Sequence, residues 1–176
     1  KEVGAGVGHG DSVPVARQCM SLSTGTDRNV SPTSGGYTSP MIDDQTRRVF
    51  DMILDREVEM LPDRVAAVME EMPLIVEDEP SAQLLESMGM DAADGDLCGL
   101  HEAVPMTERG VDDTGMMPGR MMLFRGPIVR LANYRVVGGV EVNASELHRQ
   151  VHITLLHEIG HHFGLDEDDL AALGYD

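Results

Sequence analysis

From about Ile42 onward the apolar residues fall into short runs with the spacing of helices and strands. Phe50, Ile53, Leu54, Val58 and Leu61 recur three or four residues apart, which predicts an amphipathic helix. Pro62 opens a second short helix through Val65, Val68 and Met69, since a proline in the first turn gives up no helical hydrogen bond. Leu74-Ile75-Val76, bounded by Pro73 and Pro80, predicts a short buried strand. Residues 81–119 hold a helical turn at Leu84 and Leu85, then a long loop rich in Gly, Asp and Pro. A loop of that length within a compact domain is usually functional or mobile.

Met121-Met122-Leu123-Phe124 predicts a second strand, ended by Gly126-Pro127, and a short helix follows through Ile128, Val129 and Leu131. Val136-Val137, before Gly138-Gly139, predicts a further strand or an insertion. Asn143 has the chemistry of an N-cap, with Glu146 three residues later completing a capping box. The helix it starts runs from about Ala144 to Phe163. A last helix spans Asp168 to about Leu173, with acids at its positive end. No internal repeat is evident. Residues 1–40 are dominated by Gly, Ser, Thr and Pro without either periodicity. They are expected to form a disordered tail or a non-native leader, and opening on Lys1 fits a fragment or added residues. Residues 41–176 form the folded domain.

The long C-terminal helix carries the chemistry. His157-Glu158-Ile159-Gly160-His161 is an HExxH pattern, and two histidines four residues apart share one helix face and can reach one metal ion. Glu158, beside them, is placed to act as general base on a metal-activated water. The preceding Val151-His152-Ile153-Thr154-Leu155-Leu156 gives the helix a buried side, and Gly164 falls where a helix turns its chain out. The polar alternative is a chance pattern on a solvated helix, and the apolar flank and the glycine both disfavour it.

Zinc in a hydrolase takes three protein ligands and keeps one position for water. Gluzincins draw the third from a separate helix well downstream, but only fifteen residues follow His161. A sharp turn at Gly164 offers the alternative: His157-Glu158-x-x-His161-x-x-Gly164-x-x-Glu167 puts Glu167 where metzincins carry their third histidine. Glu167 is the first candidate, Asp168 the second and Asp166 the third. Their plain role would be a solvated helix N-terminus.

Over Ile42 to Tyr175 the chain resembles the small bacterial zincin-like metallopeptidases, or minimal zincins, whose motif is HExxHxxGxx(D/S). Beyond the motif, the resemblance rests on Leu61-Pro62, Val76-Glu77-Asp78-Glu79-Pro80, Gly99-Leu100, Val104-Pro105, and Leu170 to Gly174-Tyr175. It implies an α+β minimal zincin-like fold, in which a short sheet packs against the HExxH helix. Two features depart from metzincins or from the motif: no Met-turn follows, as in the minimal zincins, and Glu replaces Asp or Ser at 167. The implied activity is zinc-dependent peptide hydrolysis with one zinc ion per chain.

Composition narrows the partners. A formal net charge of -18 disfavours nucleic acid and anionic membrane surfaces as partners, and the resemblance implies a peptide or protein as substrate. Thirteen methionines stand in for scarce aromatics as adaptable core filler. With two cysteines and no apolar segment of membrane-spanning length, the expected location is the cytoplasm. Oligomeric state leaves no signal.

Two rival readings are distinct in class. One is a non-catalytic metal-binding or partner-binding protein on a zincin scaffold, with a closed four-ligand site. The other is a deformylase-like amidase, which would need Cys98 as a ligand, though the flanking motifs are missing. His148 and His152 form a second i,i+4 pair, but at about 100° per residue they face away from His157 and His161. His162 points away from the site, His101 lies in the long loop within reach of the cleft, and His9 falls in the tail. Met121 to Phe124 is the candidate edge strand for an extended peptide.

Overall fold

The structure, a computed structural model, describes residues 15–18, 42–90, 97–102 and 119–175. Val15–Gln18 (β1), Leu74–Glu77 (β2), Leu97–Glu102 (β3) and Arg120–Phe124 (β4) form one mixed sheet in the order β1-β3-β4-β2. β3 is antiparallel to both β1 and β4, and β2 is parallel to β4. The helices are Asp44–Glu59 (α1), Asp63–Glu71 (α2), Ala82–Ser87 (α3), Arg125–Leu131 (α4), Ala144–His162 (α5) and Glu167–Leu173 (α6). Arg135–Val137 (β5) and Val140–Val142 (β6) make a separate hairpin. The result is the α+β arrangement that the resemblance implies, a short sheet packed on the HExxH helix.

Both faces of the central strands are covered, so nearly all their residues are buried instead of alternating with exposed ones. Met121 and Leu123 of β4 join Cys98, Phe50 and Leu54 of α1, and Leu147, Val151, Leu155 and Ile159 of α5 in the main core. Met122 and Phe124 point the other way, into a smaller core with Leu85, Leu97 and Leu100. α5 thus lies between α1, α4 and the sheet, and its residues are buried over most of its length. That is why a helix bearing four histidines in its C-terminal two-thirds can still be a core element.

Four expectations change. Residues 15–18, inside the expected tail, form an edge strand paired with β3 and packed near α5. Val15-Ala16-Arg17-Gln18 has little strand patterning, and backbone pairing specifies it instead. Residues 1–14 and 19–40 lie outside the described residues. Within the expected long loop, residues 97–102 form β3, a short apolar run whose burial comes from its neighbours. β4 is not an edge: β3 and β2 flank it, so no peptide can add to it. Asn143 does precede α5, but in the left-handed conformation (φ 61°) and without a side-chain cap. Its Nδ2 donates to Asn133 O, while Glu146 is taken by Arg149 and Gln150.

The segment after β2 fastens three elements together. Asp78 accepts from Arg47 of α1 through both Nε and Nη2, at 2.8 and 2.6 Å, and from Arg125 of α4 at 3.2 Å. Its carbonyl takes the amide of Gly126 at 2.8 Å. The Arg47 guanidinium holds the Asp78 carboxyl below the ordinary carboxylate range, with Arg125 adding to the effect. A lowered folded-state value means stability that is present above the unfolded pKa of about 3.9 and lost as pH falls through the folded value. Asp78→Asn is therefore expected to cost about 1–2 kcal/mol at neutral pH. In urea titrations the gap between variant and wild type should close on acidification below that range.

Candidate metal centre

His157 and His161 lie one turn apart on α5, at 2 % and 4 % exposure, with their Nε2 atoms 2.9 Å apart. What aims them is at their other nitrogens. His161 Nδ1 is 3.0 Å from Leu165 O, and His157 Nδ1 is 2.7 Å from Tyr175 O. A carbonyl oxygen only accepts, so both imidazoles carry a proton on Nδ1, and a neutral ring held this way presents its lone pair at Nε2.

Both carbonyls are delivered by the same device. α5 ends in a Schellman turn, with Gly164 at φ 80°, Gly164 N–H donating to His161 O and Leu165 N–H to Gly160 O. α6 ends in another, with Gly174 at φ 82°, its N–H donating to Ala171 O and Tyr175 N–H to Leu170 O. In each, the residue just past the left-handed glycine supplies the acceptor for a histidine.

The first turn also sends the chain back over α5 as α6. Glu167, its first residue, brings Oε1 to 3.3 Å from His161 Nε2 and Oε2 to 3.7 Å from His157 Nε2. One ligand atom from each of His157, His161 and Glu167 lies within 4.8 Å of the others. Asp166 is occupied otherwise: it caps α6 by accepting from Asp169 N at 2.9 Å, and Asp169 reciprocates. Asp168 does not join the cluster. Two lone pairs and a carboxylate converging on one point is a repulsive arrangement unless a cation or proton sits among them, so the donor set fits a zinc ion. Tetrahedral ligands at about 2.0–2.1 Å from a shared zinc are about 3.3 Å apart, so the imidazoles would open by a few tenths of an ångström.

Glu158 is fully buried, with its carboxylate laid against β3. A Cβ on Gly99 would come within 2.3 Å of Glu158 Oε1 and 2.8 Å of its carboxyl carbon, so only glycine leaves that arm room. Gly160 does the same for α6: a Cβ there would lie 2.4 Å from Leu170 Cδ2, and Leu170 is fully buried.

The other histidines are placed apart from the cluster. His101 belongs to β3, is fully buried and sits edge-on to His162, with Nε2 3.3 Å from His162 Nδ1. It does not line a cleft as an exposed donor. His148 and His152 are half-exposed on the far face of α5, beside Glu57 of α1. Cys98 is disulfide-bonded, which removes the thiolate that a deformylase-like site would need. Cys19 and His9 lie outside the described residues. Glu57 escaped the sequence reading; Gly99 and Tyr175 stood among the residues that carry the resemblance, but not for the close approach to Glu158 or the carbonyl acceptor they supply here.

The family model for zincin-like metallopeptidases matches residues 69–175, more than half of the chain. The chain belongs to that family of zincin-like metallopeptidases. No curated protein matches it. Among the described residues no helix is long and apolar enough to cross a membrane.

Packing at Gly160 can be tested without metal. Gly160→Ala should lower stability by about 1–3 kcal/mol, because the new methyl overlaps Leu170. Combined with Leu170→Ala, the loss should be smaller than the sum of the two single losses in chemical denaturation. Additive losses would mean that the two residues do not meet.

Proposed function

We propose that the chain is an active zinc metallopeptidase, in which His157 Nε2, His161 Nε2 and the Glu167 carboxylate hold one zinc ion and Glu158 is the general base. The observation that carries this reading is the pair of Nδ1–H donations to Leu165 O and Tyr175 O, which turns both Nε2 lone pairs onto Glu167. Zinc bound there would acidify water and polarise the scissile carbonyl. Held through Nδ1–H, His157 and His161 are fixed in orientation, so binding would ask only for the small opening of the two rings. Glu158, one residue along from His157 and backed by Gly99, takes a proton from the attacking water on its carboxylate. It then passes that proton to the leaving amine.

Three donors leave a position for water, which supports a catalytic site over a closed four-ligand one; among the described residues no fourth donor joins the cluster. The substrate is a peptide or protein. With a net charge of -18, the chain does not suit nucleic acid or an anionic membrane. The folded unit comprises residues 41–176 with β1 added from the preceding segment. The disulfide at Cys98 favours an oxidising compartment over the cytoplasm expected from the sequence.

Protein purified near neutral pH without chelator should hold one zinc per chain by elemental analysis, and His157→Ala or His161→Ala should abolish it. Glu158→Gln should keep the zinc and lose at least about 100-fold in turnover of a peptide library. Undiminished turnover in that variant would remove Glu158 from the mechanism. Absence of zinc in the wild type, with none taken up on addition, would remove the enzyme reading.

A further inference from the structure

The Schellman turn at Gly174 fixes the amide of Tyr175, but it leaves the Cα, from which the carbonyl projects toward His157, held from one side alone. The acceptor that sets the His157 tautomer therefore needs a second restraint on Tyr175. One is at hand on the opposite face of α5. The Tyr175 ring meets the His152 ring edge-on, with centroids 6.3 Å apart and planes at 67°. His152 Nδ1–H donates to Glu57 Oε2 at 2.6 Å. His148 Nε2 lies 3.2 Å from Glu57 Oε1, close enough for an ion pair though not aligned as a hydrogen bond. Glu57 is only 4 % exposed, on α1, whereas both imidazoles are half-exposed.

We propose that Glu57, His148 and His152 form a clamp on the segment after α6, and that Tyr175, held by it, is a positioning residue for His157. The proposal rests on the metal site assigned above. A buried carboxylate is costly, and an apolar side chain of similar size at position 57 would usually serve packing as well or better. A carboxylate makes sense there if it holds something. What it holds is His152, and the chain of contact then runs from α1 through His152 and Tyr175 to the ring of His157. None of these residues touches the cluster of Nε2 and carboxylate oxygens, so each acts only through the orientation of His157.

The test reads His157 in two independent ways on the full chain. Long-range proton–nitrogen NMR on protein with labelled histidine, metal-free and at slightly alkaline pH, reports the His157 tautomer. Competition with a chromophoric chelator reports zinc affinity. His152→Ala and Tyr175→Ala should shift His157 from the Nδ1–H form toward a mixture and weaken zinc about 10- to 100-fold, the range for residues that orient a ligand. Tyr175→Phe, which keeps the ring, should match wild type in both. Glu57→Leu should unfold no earlier than wild type yet weaken zinc, an outcome that a purely structural carboxylate would not give. Wild-type tautomer and affinity in His152→Ala and Tyr175→Ala would overturn the clamp. If the wild type binds no zinc, the metal site fails, but the tautomer comparison still decides the clamp.

Discussion

The centre depends on how the chain leaves each of its last two helices. A histidine can offer Nε2 to a metal reliably only when something accepts the proton on Nδ1. Here both acceptors are backbone carbonyls, and both belong to the residue that follows a glycine in the left-handed conformation, Leu165 after Gly164 and Tyr175 after Gly174. Any other side chain at those glycines would have to adopt a conformation that L-residues visit at a cost of about 1–2 kcal/mol. The turns thus do two things at once: they satisfy the free carbonyls at the ends of α5 and α6, and they orient the imidazoles of His161 and His157. The first also reverses the chain so that Glu167 arrives over α5.

Close approach is the second constraint. For Glu167 to reach His157 and His161, α6 must lie directly on α5, and the pattern between the two histidines includes Gly160, the one position where Leu170 can settle against bare backbone. Glu158 needs the same on its own side, where Gly99 of β3 leaves space for its carboxylate. The two variable positions of HExxH are therefore not equivalent here. Ile159 contributes to the main core, whereas Gly160 sets how near α6 can come.

Much of this was legible because it is local. The helices at α1 and α5, the strands β2 and β4 and the turn at Gly164 all follow from spacing or from a few neighbouring residues. Asp166 shows the limit within a local run, since nothing in Asp166-Glu167-Asp168-Asp169 says in advance which acid caps the helix and which leans toward the imidazoles. β1 and β3 escaped because pairing with one another and with β4 makes them strands, not their own patterning. Glu57 escaped for the same kind of reason: its partner His152 is 95 residues away, and on α1 alone it reads as one more exposed acid.

That division between local and distant contacts separates two functions of the site. His157, His161, Glu167 and both carbonyl acceptors come from Ala144 to Tyr175, in two consecutive helices and their turns. Apart from the clamp from α1 proposed above, holding a cation there would ask little of the rest of the fold. Placing Glu158 asks more, because Gly99 is on a strand that must first be paired into the sheet, and that strand also carries the disulfide-bonded Cys98. A change that loosens β3 from α5 would disturb the proposed general base before the proposed ligands. On the proposed reading, metal affinity and proton transfer would thus have separable structural supports, one built mainly from helix ends and the other from the sheet.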